Sequence, residues 1–207
     1  MKESKQLKFW RGEFGNLYID RNTPDNEISP NRLHMWKKIL NAIPDVPNSV
    51  LEVGANIGNN LRVIQELIDT KIYAVEPNYA AREILKTNLK INEKNIFDAS
   101  ANSLPLESSS IDLVFTSGVL IHIAPEDLYI SCSEIYRVSS KYIVCVEYFN
   151  PTPVELSYRG HDGVLFKRDF GSFWIENFPN LKVLDYGFFW KPITGLDNLT
   201  WWLFHKA

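Results

Sequence analysis

Short apolar segments alternate with amphipathic helical segments along most of this chain, and the alternation stops before the end. Two late strands are predicted at 182–190 and 200–205, with only residues 191–199 between them. A parallel crossover needs a dozen or more residues, so these two strands are expected to pair antiparallel. Strands separated by helices, by contrast, favour a parallel sheet covered on both faces. The pattern predicts an α/β fold with a mostly parallel, seven-stranded sheet that ends in an antiparallel hairpin.

Seven strands and five helices account for this prediction. The strands are predicted at 49–53, 72–75, 96–97, 111–115, 142–148, 182–190 and 200–205. The helices are predicted from Ser29-Pro30 onward and at 59–68, 79–91, 125–138 and 170–178. Ser29 is a good N-cap and Pro30 suits a first helical position. Asp169 is a candidate cap for the helix at 170–178.

Composition excludes several classes of protein. The 207 residues carry 22 basic and 25 acidic side chains, a net charge of −3, which disfavours a nucleic-acid partner. The two cysteines, Cys132 and Cys145, support neither a disulfide framework nor a zinc site, and no metal centre is predicted. The N-terminus lacks the apolar stretch of a signal peptide, and no apolar run is long enough to cross a membrane. We expect one cytosolic domain, residues 1–207, without a membrane partner.

The sharpest local pattern lies between the first strand and the following helix, in the sequence VLEVGANIG at 50–58. Gly54 permits a tight turn with positive φ, and Gly54 and Gly58 leave room for a ligand beside the backbone. Glu76 ends the next strand, eighteen residues after Gly58. A carboxylate in that position accepts hydrogen bonds from the two ribose hydroxyls of a nucleoside. The pattern therefore predicts a nucleoside-binding site.

A nicotinamide dinucleotide would use the same geometry, so an oxidoreductase is the nearest alternative. Its motif requires G-x-G-x-x-G, whereas this chain has Asn56 at the middle position. A P-loop is excluded, because no Gly-Lys-Ser/Thr sequence occurs. A protein that keeps the fold as a catalytically silent binding module is a second alternative.

The glycine segment resembles the Asp/Glu-x-Gly-x-Gly-x-Gly motif of class I S-adenosylmethionine-dependent methyltransferases, with Asn56 replacing the middle glycine. The resemblance implies a Rossmann-like fold, methyl transfer (EC 2.1.1.-) and S-adenosylmethionine as cofactor. It places Glu52, Gly54, Asn56 and Gly58 beside the methionine part and ribose, Glu76 on the ribose hydroxyls, and Pro77 and Asn78 beside the adenine.

Two later segments resemble further parts of that family. Residues 98–105, DASANSLP, look like the segment that holds the adenine edge; Ser100-Ala101 fits by distance from Leu104-Pro105, and Asp98-Ala99 fits by residue type. Ser117, Gly118 and Val119 follow the fourth strand and are expected beside the methionine end. His122 comes next and either lies near the reacting centre or packs against the following helix.

A closer resemblance rests on WRGEFG at 10–15 and FKRDFG at 166–171. Both are similar to segments of the pseudaminic acid biosynthesis-associated methylase family. That resemblance implies a small polar acceptor, such as a nonulosonic acid or nucleotide-sugar intermediate of surface-sugar biosynthesis, methylated on nitrogen or oxygen.

The two segments also define the expected acceptor side. Residues 1–28 are predicted to form a lid, with Trp10 over the cofactor and Tyr18 near the acceptor. Residues 150–168 are expected to form an acceptor-site insertion. Cationic and polar side chains suited to an anionic acceptor are Arg11, Arg21, Tyr158, Arg159, Lys167 and Arg168. Candidate general bases are His122, Glu147 and His161.

Aromatic residues are concentrated in the late hairpin. Tyr186, Phe188, Trp190, Trp202 and Phe204 fall at alternating positions, which predicts that they point into the core.

Overall fold

A computed structural model describes residues 3–20 and 28–207 of the chain. The helices are α1 (Lys5–Arg11), α2 (Glu13–Ile19), α3 (Pro30–Asn41), α4 (Asn59–Leu67), α5 (Tyr79–Asn88), α6 (Pro125–Val138), α7 (Phe170–Asn177) and α8 (Lys191–Thr194). The strands are β1 (Ser49–Val53), β2 (Lys71–Val75), β3 (Ile96–Phe97), β4 (Ile111–Ser117), β5 (Ser139–Glu147), β6 (Val154–Tyr158), β7 (His161–Lys167), β8 (Leu181–Phe189) and β9 (Leu199–Lys206). Arg21 lies outside the described residues.

Seven strands form one sheet in the order β3-β2-β1-β4-β5-β9-β8. The first five pair in parallel, and β9 pairs antiparallel with both β5 and β8. The predicted Rossmann-like sheet with its antiparallel hairpin is confirmed. The strand order reverses at β1, between β2 and β4, and α/β proteins bind their ligands at such a switch point, beyond the carboxyl ends of the strands.

Two helix starts follow directly from the sequence. The Ser29 hydroxyl accepts a hydrogen bond from the Arg32 N–H, with Pro30 in the first turn of α3. The Asp169 carboxylate accepts one from the Ser172 N–H at the start of α7. Both caps satisfy N–H groups that a helix cannot satisfy internally, and both confirm the sequence prediction.

Alternation along the strands sends neighbouring residues into two separate cores. In β9, Trp202 and Phe204 join the layer beneath α6 and α7, whereas Trp201 and Leu203 join the layer beneath α3, α4 and α5. All four side chains are buried. The sheet is therefore covered on both faces and presents its strand ends as the place for a site.

Part of the hairpin prediction is wrong. Trp202 and Phe204 are core residues, but Tyr186, Phe188 and Trp190 are 69%, 54% and 54% exposed. Tyr186 and Phe188 lie opposite Trp202 and Thr200 on β8, which is at the edge of the sheet and, among the described strands, pairs with β9 alone. Trp190 follows the strand and caps α8. Alternation identifies a face of a strand, but it does not identify which strand is at the edge.

The sequence patterns missed the short helix α8 and four larger elements. Helices α1 and α2 form in the expected lid segment, and β6 and β7 pair as a separate antiparallel hairpin within residues 150–168. These elements pack over the ends of the parallel strands rather than into the sheet.

No helix in residues 3–20 and 28–207 has the length and apolar character needed to cross a bilayer.

Candidate active site

A cavity of about 340 Å³ opens at the carboxyl ends of the parallel strands, next to the switch point at β1. Fifteen side chains or backbone positions that the sequence singles out line it. They are Trp10, Tyr18, Glu52, Gly54, Asn56, Glu76, Pro77, Asn78, Ser100, Ala101, Ser117, Gly118, Val119, His122 and Tyr158. Sequence segments more than 140 residues apart therefore meet in one place.

The turn after β1 needs left-handed backbone at three positions. Gly54, Asn56 and Gly58 have φ values of 79°, 48° and 85°. Asparagine is one of the few side chains that tolerate this region, which explains how Asn56 replaces a glycine without losing the turn. A Cβ on Gly54 would lie 2.6 Å from Val119 Cγ2, so the turn also approaches the loop after β4 closely.

Gly58 does not line the cavity, which corrects its expected place beside the cofactor. It is buried, and a Cβ there would lie 2.9 Å from Leu89 Cδ1. Gly58 instead lets the start of α4 pack closely against the end of α5.

Glu76 stands at the end of β2 and holds the walls of the cavity together. Its Oε2 accepts a hydrogen bond from the Asn56 N–H at 2.7 Å, and its Oε1 accepts one from the Asn78 N–H at 2.7 Å. Burial raises the pKa of Glu76 to about 7, although the two hydrogen bonds act in the opposite direction and lower it. Each oxygen keeps a free lone pair, which suits the two hydroxyls of a ribose.

Glu52 has a different role, because one of its oxygens has no partner. Asn60 Nδ2 donates to Oε1 at 2.6 Å, while the buried Oε2 accepts no hydrogen bond from any described residue. Burial raises the pKa of Glu52 to about 8. A buried carboxylate oxygen without a donor is destabilising, so this side chain is suited to a cationic ligand group.

Sequence reasoning missed the residues that orient Glu52. Arg32 Nη1 and Trp36 Nε1, both from α3, donate to the Asn60 side-chain oxygen, and Arg32 also lines the cavity. The sequence shows α3 only as an amphipathic packing helix. No local pattern links it to Glu52, because the contact forms only when α3 packs against α4.

The residues of segment 98–105 that line the cavity distinguish between the two alternatives for the adenine contact. Ala99, Ser100, Ala101 and Asn102 line it, whereas Asp98 is exposed and pairs with Arg11 and Arg82. Of the two alternatives left by the sequence, the geometry therefore favours Ser100-Ala101. Arg11, expected to bind an anionic acceptor, instead forms a surface bridge to Glu3 and Asp98.

Residues of helices α1 and α2 line the cavity on one side. Asn78 Nδ2 donates to the Trp10 carbonyl at 3.0 Å and to Asn16 Oδ1 at 2.9 Å. At the opposite end, Gln6 Nε2 donates to the Gly163 carbonyl of β7 at 3.0 Å. The lid therefore joins the adenine side of the cavity to the β6–β7 hairpin.

One end of the cavity is lined by aromatic rings. The centre of the Trp10 ring lies 4.7 Å from the centre of the His122 ring and 5.2 Å from that of Tyr18. The centres of the His122 and Tyr158 rings are 5.2 Å apart. Tyr148 belongs to the same wall, and its hydroxyl donates to Asp197 at 2.7 Å. Asp197 also lines the cavity but lies in the connection before β9, where no sequence motif marks it.

His122 is held in a defined state. Its Nδ1 lies 2.6 Å from the Val164 carbonyl oxygen, and burial lowers its pKa to about 4. A carbonyl only accepts hydrogen bonds, so Nδ1 carries the proton and Nε2 carries the lone pair. At neutral pH the ring is therefore an uncharged hydrogen-bond acceptor at the aromatic end of the cavity.

Two of the three candidate bases lie elsewhere. Glu147 is fully buried and does not line the cavity; its carboxylate accepts hydrogen bonds from the N–H groups of Val119, Leu120 and Ile121. It positions the turn that carries His122. His161 is exposed and packs against Phe9 and Phe14, outside the cavity.

The remaining cationic candidates also lie outside this cavity. Arg159 is exposed, with its guanidinium 5.6 Å from the centre of the Tyr158 ring. Lys167 and Arg168 line a second cavity. Across residues 3–20 and 28–207, no three His, Cys, Asp or Glu side chains are grouped as metal ligands would be.

Comparison with known proteins agrees with this geometry. Residues 51–142 match a family model described as a methyltransferase domain. Phosphoethanolamine N-methyltransferase 1 of Zea mays is 26% identical to this chain over 132 residues. The match covers 59% of this chain but only 25% of the length of that protein.

Two solved structures share the fold along almost the whole chain. One is 1,6-didemethyltoxoflavin-N1-methyltransferase of Burkholderia thailandensis with bound 1,6-didemethyltoxoflavin and S-adenosylhomocysteine. It has a TM-score of 0.75 and 14% identity, covering 100% of this chain and 91% of that one. The other is a S-adenosylmethionine-dependent methyltransferase of Leishmania major, with a TM-score of 0.73, 17% identity, and 97% and 81% coverage.

Residues 51–142 thus match a methyltransferase domain, and the described chain has the Rossmann-like fold of solved S-adenosylmethionine-dependent methyltransferases. The residues present fit that cofactor, because the unpartnered oxygen of Glu52 suits its ammonium group and the carboxylate of Glu76 suits its ribose. The matches do not extend to the narrower sugar-methylase family suggested by the sequence resemblance.

Proposed function

We propose that this chain transfers the methyl group of S-adenosylmethionine to a nitrogen or oxygen of a small polar acceptor, with nitrogen favoured. The observation that carries the proposal is one cavity with two unlike ends. Two buried carboxylates, Glu52 and Glu76, line the cofactor end, and aromatic rings line the other.

S-adenosylmethionine supplies a methyl group already activated by a sulfonium, so this chain's residues have to bind and align rather than activate it. Glu76 holds the ribose and keeps the two flanking loops in place. Glu52, oriented by Asn60, receives the ammonium group. Gly54, Asn56 and Ser117–Val119 shape the backbone around the methionine part, and Pro77, Asn78 and Ala99–Asn102 surround the adenine.

At the acceptor end, alignment is the main contribution. Holding two reactants in the right geometry can supply roughly 7–11 kcal/mol of the barrier. Trp10, Tyr18 and Tyr158 exclude water there and offer ring faces to a cation. The Nε2 of His122 accepts a hydrogen bond from the acceptor's N–H or O–H group and so aims its lone pair.

The low pKa of His122 favours nitrogen over oxygen. A base with a pKa of about 4 removes a hydroxyl proton poorly, whereas a neutral amine is already nucleophilic and releases its proton after transfer. The names of two relatives, an N-methyltransferase of Zea mays and an N1-methyltransferase of Burkholderia thailandensis, point the same way. The nonulosonic acid or nucleotide-sugar implied by the sequence resemblance belongs among the acceptors to be tested. We place the reaction in the cytosol.

The test combines binding and turnover. Isothermal titration calorimetry of the purified protein with S-adenosylhomocysteine should show binding, and radiolabelled S-adenosylmethionine should label an acceptor from a panel of small amines, sugar acids and nucleotide-sugars. Absence of S-adenosylhomocysteine binding by the folded protein would contradict the proposal.

Two alternatives have distinct outcomes in the same experiments. NADH binding without S-adenosylhomocysteine binding would favour an oxidoreductase. S-adenosylhomocysteine binding without transfer to any acceptor would favour a silent binding module. The His122→Gln variant should retain cofactor binding and lose turnover, an outcome that only the enzyme predicts.

A further inference from the structure

A second cavity, of about 430 Å³, lies beside the first. The two share three wall residues, Gln6, Ile123 and Ala124. Ile123 directly follows His122 in the chain, so the shared wall begins at the aromatic end of the first cavity. The second cavity is therefore adjacent to the end of the first cavity where the reacting atom of the acceptor is proposed to lie.

Unpaired charges line this second cavity. It contains three cationic side chains and two carboxylates, Lys5, Lys167, Arg168, Glu126 and Glu155. Within the described parts of the chain, every ion pair involves other residues. Lys5 does donate to the Asp162 carbonyl at 3.1 Å. The hydrogen bond from Tyr148 lowers the pKa of Asp197, and an electrostatic interaction with Lys167 helps to lower it. None of the three cations forms an ion pair with a described carboxylate, which suits them to an anionic ligand.

Arg168 is the most constrained of these cations. Its guanidinium carbon lies 4.4 Å from the centre of the Phe173 ring, and its Nε is buried without a hydrogen-bond acceptor among the described residues. A buried N–H of a charged group is destabilising when it is unpaired, and a phosphate or carboxylate oxygen supplies the missing acceptor. The ring fixes the guanidinium at the cavity wall before any ligand binds.

Lys167 connects the two cavities. It lines the second cavity, but its Nζ lies 4.8 Å from the centre of the Tyr148 ring, which lines the first. Lys167 is the last residue of β7, and Arg168 lies between it and the Asp169 cap of α7, so the hairpin and the helix start fix both.

We propose that the second cavity binds an anionic group of the acceptor, a phosphate or a carboxylate, with Arg168 and Lys167 as its ligands. The substrate class is then a small molecule with a nucleophilic atom at one end and an anion at the other. This inference rests on the proposed function for the first cavity.

The experiment is calorimetric titration of inorganic phosphate, and separately of sodium acetate, into protein saturated with S-adenosylhomocysteine at constant ionic strength. At least one anion should bind the unaltered protein, and its affinity should fall at least tenfold in Arg168→Gln. Lys167→Gln should weaken it by a smaller factor. Lys182→Gln, which removes an exposed cation on β8, should leave it unchanged. The preferred anion tells phosphate from carboxylate.

Failure of this inference is distinguishable from failure of the proposed function. Normal S-adenosylhomocysteine binding without anion binding, or with equal anion affinity in Arg168→Gln, would overturn the second cavity's role and leave the first intact. If Arg168→Gln no longer binds S-adenosylhomocysteine, the anion affinity of Lys167→Gln is compared with that of the unaltered protein instead. If the unaltered protein does not bind S-adenosylhomocysteine, the proposed function fails, and the anion titrations of the protein alone still test the second cavity.

Discussion

The two ends of the first cavity are built in opposite ways. The cofactor end consists of short turns at the ends of neighbouring parallel strands, and its carboxylates, Glu52 and Glu76, are almost completely buried. The acceptor end combines α1, α2, the β6–β7 hairpin and the connection before β9, and its side chains are more exposed. The comparison suggests that the fold itself fixes the cofactor end, whereas added segments determine the acceptor.

The largest effect is expected at the cofactor end, from Glu76→Ala. The change leaves the Asn56 and Asn78 N–H groups without their acceptor and removes the partner proposed for the ribose. Each lost hydrogen bond to a charged group is worth about 1.5–3 kcal/mol, so S-adenosylhomocysteine affinity should fall at least about 100-fold. Calorimetry measures it, and Glu76→Gln should lose less.

The matched control for this change is Glu83→Ala, an exposed glutamate on α5 whose partner is Lys86 on the surface. It should bind S-adenosylhomocysteine like the unaltered protein. Equal affinity in Glu76→Ala would break the comparison, because the cofactor end would then not depend on its buried carboxylate.

A second variant tests the acceptor end. Trp10→Ala removes a ring that contacts His122 and Tyr18 but keeps the backbone carbonyl that accepts from Asn78. Turnover should fall by about 10- to 100-fold through lost alignment, and S-adenosylhomocysteine affinity should fall less. Steady-state kinetics with the acceptor found in the panel, together with calorimetry, separate the two effects.

Tyr186→Ala is the control, because Tyr186 is 69% exposed on the edge strand β8 and lines neither cavity. Both parameters should stay within twofold of the unaltered protein. Equal losses of cofactor binding and turnover in Trp10→Ala would show that the two ends are not separable.

The same contrast explains what could be predicted from the sequence. Gly54, Glu76 and Ser117–Val119 each follow a strand, and parallel strand ends converge at one edge, so local patterns were enough to bring them together. Asp197 and Arg32 lie in segments without such a rule, and their place depends on how distant elements pack. Arg11, His161 and Glu147 have suitable chemistry, but residue type does not reveal whether a side chain points to the surface, the core or the cavity.

The third prediction concerns pH and Glu52. Burial raises its pKa to about 8, so the carboxyl is mostly protonated at pH 7 in the free protein, whereas the cofactor's ammonium group requires the carboxylate. Binding therefore releases a proton, and S-adenosylhomocysteine affinity should rise as the pH increases from 7 to 8, by up to about tenfold. The range begins at the pKa of Glu76, about 7, so ionisation of Glu76 accounts for about twofold of the rise at most.

Calorimetry in buffers of different ionisation enthalpy counts the released proton. Glu52→Gln should bind more weakly and show little slope over the same range. An unaltered slope in Glu52→Gln would assign the released proton to another group and remove Glu52 from the proposed ammonium site.

The smallest effect should be seen in thermal stability, with two glycines in the same backbone conformation. Gly54 and Gly160 have φ values of 79° and 81°, so a change to alanine strains both backbones equally. They differ in surroundings, because a Cβ on Gly54 would lie 2.6 Å from Val119 Cγ2 and one on Gly160 would meet nothing within 4 Å. Val119 cannot move freely, since its N–H donates to the buried Glu147. Gly54→Ala should therefore lower Tm by about 2–4 °C more than Gly160→Ala, the equivalent of about 1 kcal/mol in a domain of this size.

Differential scanning calorimetry without ligand measures this difference in Tm between the two variants. Equal Tm values would mean that the loop after β4 yields to the turn after β1, and that the cofactor end is less rigid than its buried carboxylates indicate.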